Sequence, residues 1–165
     1  MSIELPRRAL LACAAAGFAT ALSGCAGRNP DGAAPQEEAT PGERSAETAR
    51  LRRRTAQDSA ELLARYDAAL AAHPALAPAL APLRKTVADQ LSVVRSGEPP
   101  APAPDVPGAP AEPAAALAAL ADAERQLSHV RLRALTEAPP ELARLLASLS
   151  AAGSVHTYLL NEVRP

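Results

Sequence analysis

The chain has 165 residues, 21% of them charged and 2% aromatic, with 17 prolines, no tryptophan and a formal net charge of −1. A balance so close to neutral gives no reason to expect nucleic acid or a polybasic membrane contact. The near-absence of aromatic side chains removes the usual anchors of a tight small-molecule pocket or an interface hot spot.

Arg7 and Arg8 are followed by an apolar run from Ala9 to Leu22. At about 14 residues the run suits a signal-peptide core and falls short of the roughly 20 that a membrane-spanning helix needs. It closes on Leu22-Ser23-Gly24-Cys25, in which two small residues leave a peptidase room to reach the bond before the cysteine. This order of positive segment, apolar core and four-residue box resembles the signal of bacterial lipoproteins. The resemblance implies cleavage after Gly24, acylation of Cys25 with lipid chains of the palmitate type, and a mature chain held at the extracytoplasmic face of the cell membrane. Arg7-Arg8, the spacer Ala9 and the pair Leu10-Leu11 also resemble a twin-arginine export signal. Every signal segment needs positive charge, so general secretion stands beside that reading.

Cysteine usage agrees with this destination. Cys13 lies in the segment to be removed and Cys25 is spent on lipid, so no thiol remains for a disulfide, a thiolate nucleophile or a sulfur-ligated metal. Removing Arg7 and Arg8 from the 17 basic residues and Glu4 from the 18 acidic ones leaves the mature chain at 15 against 17.

From Ala26 to about Ser45 the chain is rich in Gly, Pro, Asn, Glu and Thr and nearly free of apolar residues, which predicts a flexible tether with an end-to-end distance of roughly 25 Å. Ala46 to Ala72 lacks Pro and Gly and carries Leu51, Thr55, Leu62, Leu63, Tyr66, Ala69 and Leu70 at helical period. After the turn at His73-Pro74, a second helix is predicted from Ala75 to Arg95, with Leu76, Leu80, Leu83, Val87, Leu91 and Val94 on one stripe. Pro78 and Pro82 fall in or near its first turns, where a missing N–H costs least.

Residues 97–112 hold too many prolines for a helix and form a semi-rigid connector. Pro113 opens a third predicted helix to Glu137, with Leu117, Leu120, Leu127, Val130, Ala134 and Leu135 inward. Pro140 opens a fourth to Val163, with Leu142, Leu145, Leu146, Leu149, Ala152, His156, Leu159 and Val163 inward. No segment alternates as a strand does. The expected fold is all-α: an antiparallel four-helix bundle of two helical hairpins joined by a Pro-rich crossover. Pro74-Ala75-Leu76-Ala77, Leu80-Ala81 and Leu83 recur 66 residues later as Pro140-Glu141-Leu142-Ala143, Leu146-Ala147 and Leu149, which points to an internal duplication.

Duplicated hairpins with a long crossover on an exported lipoprotein resemble ferritin-like domains. That resemblance covers Ala46 to Val163, and in the metal-binding members it implies one Glu from each of two helices and a Glu-x-x-His pair from each of the others. The offset of 66 pairs Asp58 with Glu124, Val87 with Gly153 and Gln90 with His156. Val87 and Gly153 offer no ligand atom and Gln90 only a weak one, so a two-metal site is not expected. Asp58, Glu124 and His156 are the weak candidates for a single ion. Against this stands a structural cluster in which His156 bonds Glu124 and Arg131 partners the same acid.

His129 on a polar face and His73 in a turn read as solvated. Arg50, Arg52, Arg53 and Arg54 could touch anionic headgroups beside the tether, but Glu43, Glu47 and Asp58 offset them and a solvated helix end is the plainer reading. No catalytic motif, glycine loop or phosphate cradle is present. The sequence therefore points to a non-enzymatic, cofactor-free interaction or scaffolding module. It is expected to be anchored to the membrane through Cys25, with an envelope protein as a possible partner. A ferritin-like protein with a reduced metal site, in iron handling or oxidant defence, is the alternative.

Overall fold

A computed structural model describes residues 40–96 and 102–164. Four α-helices account for most of them: α1 (Pro41–Ala72), α2 (Ala77–Arg95), α3 (Pro113–Arg133) and α4 (Pro140–Glu162). Single 3-10 turns, Pro74–Leu76 and Ala134–Thr136, complete the helical structure, and the described residues contain no strand.

Each helix starts where its sequence supplies a cap or a proline. α1 begins five residues before the expected Ala46, because Thr40-Pro41-Gly42-Glu43 closes a capping box. The Thr40 hydroxyl accepts from the Glu43 N–H at 3.3 Å, and Glu43 Oε2 accepts from the Thr40 N–H at 2.7 Å. The expected tether therefore gives up residues 40–45 to the helix. At 32 residues, or about 48 Å, α1 outruns its partners. Arg52 already reaches the C-terminal end of α2, where Nη1 donates to Ser96 Oγ at 2.6 Å and to Val94 O at 3.3 Å. Residues 41–50 lie beyond that point and are exposed, apart from half-buried Thr48.

The expected helix from Ala75 resolves into a 3-10 turn followed by α2, which runs straight through Pro82. Pro78 and Pro82 both face solvent, so the Pro78 carbonyl that loses its i+4 donor is open to water. α2 stops at Ser96, whose φ of 50° turns the chain into the left-handed region before Gly97. α3 tightens into a 3-10 turn after Arg133 and does not continue to Glu137.

α1 packs on α2 and α3, and α4 packs on α3 and α2. A continuous apolar cluster includes Leu62, Tyr66, Ala69, Leu80, Val87, Leu120 and Leu160, while Leu91, Val94, Leu142, Leu146 and Leu149 are buried outside it. Buried polar side chains, Ser59, Glu124, Ser128, Arg131, Ser150 and His156, are set among these leucines. The α2 stripe is buried as expected. On α3 Leu117 and Leu120, and on α4 Leu142, Leu146, Leu149 and His156, are buried as expected, but Val130 and Leu159 are 41% and 42% exposed, and Ser128, Arg131 and Leu160 beside them are buried instead.

A buried polar cluster as the candidate functional site

Tyr66 on α1, Glu124 on α3 and His156 on α4 meet in the core. Glu124 is 1% exposed, and its Oε1 accepts from the Tyr66 hydroxyl at 2.9 Å and lies 2.8 Å from His156 Nδ1. A carboxylate has no proton to give, so Nδ1 carries the proton and donates it. Burial, the Glu124 charge and the hydrogen bond to it push the Tyr66 phenol far above its ordinary range, so it stays a neutral donor.

Arg131 is buried two turns further along α3. Its Nη2 donates to Ser59 Oγ at 2.8 Å and its Nη1 to Leu149 O at 3.4 Å. Ser59 is free to accept because its own proton goes to Thr55 O at 2.7 Å. Arg131 makes no ion pair with Glu124, contrary to the expected partnership. Two turns of α3 separate the two groups, and the guanidinium finds its acceptors on α1 and α4 instead. Burial lowers the Arg131 pKa, and the charges of Glu124 and Asp58 hold it up through space.

Gly153 on α4 is what lets these groups come so close. A Cβ there would overlap Ser128 Oγ and stand 3.1 Å from Glu124 Oε2. Ser150 Oγ donates to Ser128 O at 2.9 Å, whereas Ser128 Oγ and Arg131 Nε have no partner. The position at which a ferritin-like ligand was sought thus serves close packing. Val87, its counterpart, is 1% exposed in the apolar cluster, and Gln90 is half-buried.

Asp58 does not join Glu124 and His156. It is half-buried on the flank of α1, beside a surface groove it shares with Arg54, Glu61, Arg65 and Asp122. Burial and the neighbouring Glu61 raise its pKa, while Arg131 and Arg54 pull it down. Register explains the miss. The buried residues Leu76, of the 3-10 turn before α2, and Leu80, Leu83, Val87 and Val94 of α2 recur at 142, 146, 149, 153 and 160 of α4, an offset of 66. The buried residues Thr55, Ser59, Leu62, Tyr66 and Ala69 of α1 recur at 117, 121, 124, 128 and 131 of α3, an offset of 62. Leu62, not Asp58, therefore occupies the place equivalent to Glu124. Among the described residues, no three of His, Cys, Asp and Glu come together as a metal site.

His129 is exposed as expected. His73 is not simply solvated: its Nε2 lies 2.8 Å from Pro110 O, and since a carbonyl only accepts, Nε2 is the donor that ties the crossover to the turn after α1. Arg52 is drawn into the fold while Arg50, Arg53 and Arg54 stay exposed. Arg7, Arg8, Leu22, Ser23, Gly24 and Cys25 lie outside the described residues. None of the described helices is long and apolar enough to cross a membrane. The chain matches no protein-family profile, no curated protein and no solved structure.

Proposed function

We propose that this chain is a lipid-anchored, extracytoplasmic helical-bundle lipoprotein that serves as a non-enzymatic interaction or scaffolding module at the cell envelope. The anchor rests on Arg7-Arg8, the apolar run and Leu22-Ser23-Gly24-Cys25. Metabolic labelling with a fatty acid tests it. The wild type takes up label and the Cys25→Ala form does not; equal labelling of both, or of neither, refutes it.

The ferritin-like arrangement is part of the same reading. Arg52 with Ser96 and Asp67 with Arg84 pair rising with falling residue numbers, as do Ser59 with Arg131 and Tyr66 with Glu124, and Glu124 with His156 and Arg131 with Leu149. Those pairings support antiparallel neighbours in the order α1, α2, α4, α3, with α2 and α3 parallel and joined by the crossover. The observation that carries the non-enzymatic reading is the use of the core polar groups. Glu124 Oε1 takes two hydrogen bonds and Arg131 bonds Ser59 and the Leu149 carbonyl; Arg131 borders a shallow surface pocket with Arg54, Asp58 and Glu137, whereas Glu124 and His156 are closed in the core, 1% and 5% exposed.

The proximity of Glu124, His156 and Tyr66 favours the second reading, a bundle with a reduced metal site. Metal analysis of the protein purified from membranes separates the two. Stoichiometric iron or manganese that disappears on His156→Ala, in a variant that keeps its helical content, establishes the metal-binding form.

A further inference from the structure

The end of the bundle from which the chain leads back toward Cys25 is rich in unpaired arginine. Arg44, Arg50, Arg53 and Arg54 on α1 and Arg133 in the last turn of α3 are exposed, and among the described residues none is in an ion pair. Elsewhere Arg84, Lys85 and Arg125 are each held by an aspartate. The α1 arginines and the segment after α3 belong to one end, because Arg44, Arg50 and Arg54 share a basin with residues 136–139. The exposed carboxylates there are Glu43, which is tied to the Thr40 N–H, Glu47, Glu137 and Glu141, which is paired with Arg144, and half-buried Asp58 lies beside Arg54.

Only 14 residues separate Cys25 from Thr40. A chain of that length reaches at most about 50 Å. We propose that this arginine-rich end seats on anionic phospholipid headgroups, so that the bundle stands on the membrane with the free turns of α1 toward the bilayer. The inference rests on the reading of Cys25 as the anchor. Acyl chains would hold the arginines within reach of the surface, and an anionic leaflet supplies the complementary charge. Each arginine near such a surface raises the docked-to-free ratio about five-fold, and the carboxylates at the same end reduce the total. The contact is a surface one, screened by salt.

The test uses the mature acylated protein on vesicles of phosphatidylcholine alone or with phosphatidylglycerol. A dye is placed at Ala49→Cys, near the proposed contact, or at Asn161→Cys, near the C-terminus of α4, and energy transfer to headgroup-labelled lipid is measured. Seating predicts higher transfer from the Ala49 position on anionic than on neutral vesicles, loss of that excess in high salt, and little transfer from the Asn161 position. Replacing Arg44, Arg50 and Arg53 with Gln cuts the docked-to-free ratio about five-fold per residue, whereas Lys85→Gln leaves it unchanged. Equal transfer on the two vesicle types, or no effect of the triple replacement, overturns the proposal. So does a soluble polyphosphate that outcompetes the anionic vesicles at equal phosphate. Loss of the protein from neutral vesicles counts against the anchor alone, because the anionic preference is still read on the phosphatidylglycerol vesicles.

Discussion

Gly153 gives the sharpest test of the core. Replacing a glycine in the middle of a helix with alanine ordinarily gains about 1 kcal/mol. Here the new methyl would overlap Ser128 Oγ and press on Glu124 Oε2, and overpacking of that kind costs about 1–3 kcal/mol. Gly153→Ala should therefore lose up to about 2 kcal/mol on balance, and each kcal/mol shifts the Tm of a domain this size by about 3–5 °C. Ser128→Ala removes a hydroxyl that is buried without a partner, which should stabilise the fold by about 1 kcal/mol. Combined, the two changes should exceed either alone, because the space left by the hydroxyl receives the methyl and the helix gain is recovered. Thermal and urea unfolding of the four proteins of this double-mutant cycle measure the coupling directly. A Gly153→Ala variant that is more stable than the wild type by the ordinary helix increment would refute the reasoning, since Ser128 would then be turning aside at no cost.

Glu124→Ala leaves the buried His156 Nδ1–H and Tyr66 hydroxyl without their shared acceptor and removes the charge that acts on Arg131 through space, which should cost about 3–5 kcal/mol, whereas Tyr66→Phe removes one neutral donor and should cost about 1–2 kcal/mol; urea unfolding that ranks them the other way contradicts the shared acceptor at Glu124 Oε1. The hydrogen bonds from Thr40 hold the Glu43 carboxyl below its ordinary value of 4.5. The capping box is therefore intact above that value and is lost as pH falls through the depressed one. Amide exchange at residues 41–47 should accelerate in acid and on Thr40→Ala, with little change in global unfolding; uniform exchange across this range would show that the box does not hold the helix end. His73→Ala releases the crossover at Pro110 and should speed amide exchange and proteolysis within residues 103–112 while leaving Tm nearly unchanged. Undiminished protection there would mean that the hydrogen bond contributes nothing to holding the strap.

Helical period and proline placement made most of the architecture legible, because both act locally. Pro113 and Pro140 sit where a missing N–H is harmless, and the leucines of α2 are buried at the spacing they show in the sequence. The start of α1 is equally local, yet the expected start at Ala46 overlooked it: Thr40 and Glu43 are three apart, the spacing of a capping box. The partnership of Glu124 and His156 could be anticipated because both lie on inward stripes. The roles of Tyr66 and Ser59 could not, since they depend on how α1 is set along α3. That setting follows an offset of 62 on one pair of helices and 66 on the other, and the short repeat in the sequence registers only the second. Ser128, Ser150 and Gly153 are small residues that suit either face of a helix, so only the packed neighbours reveal that they are interior.

The polar residues in the middle of the core also act as a key. Leucine and alanine are forgiving neighbours, and one helix slid by a turn against another would still bury aliphatic carbon against aliphatic carbon. Such a slide would carry Tyr66 past Glu124 and Ser59 past Arg131, leaving a carboxylate and a guanidinium in oil with nothing to bond. One alignment is thereby set apart from its near-equivalents by the penalty attached to every other, which is how a chain with almost no aromatic side chains can still settle on a single arrangement.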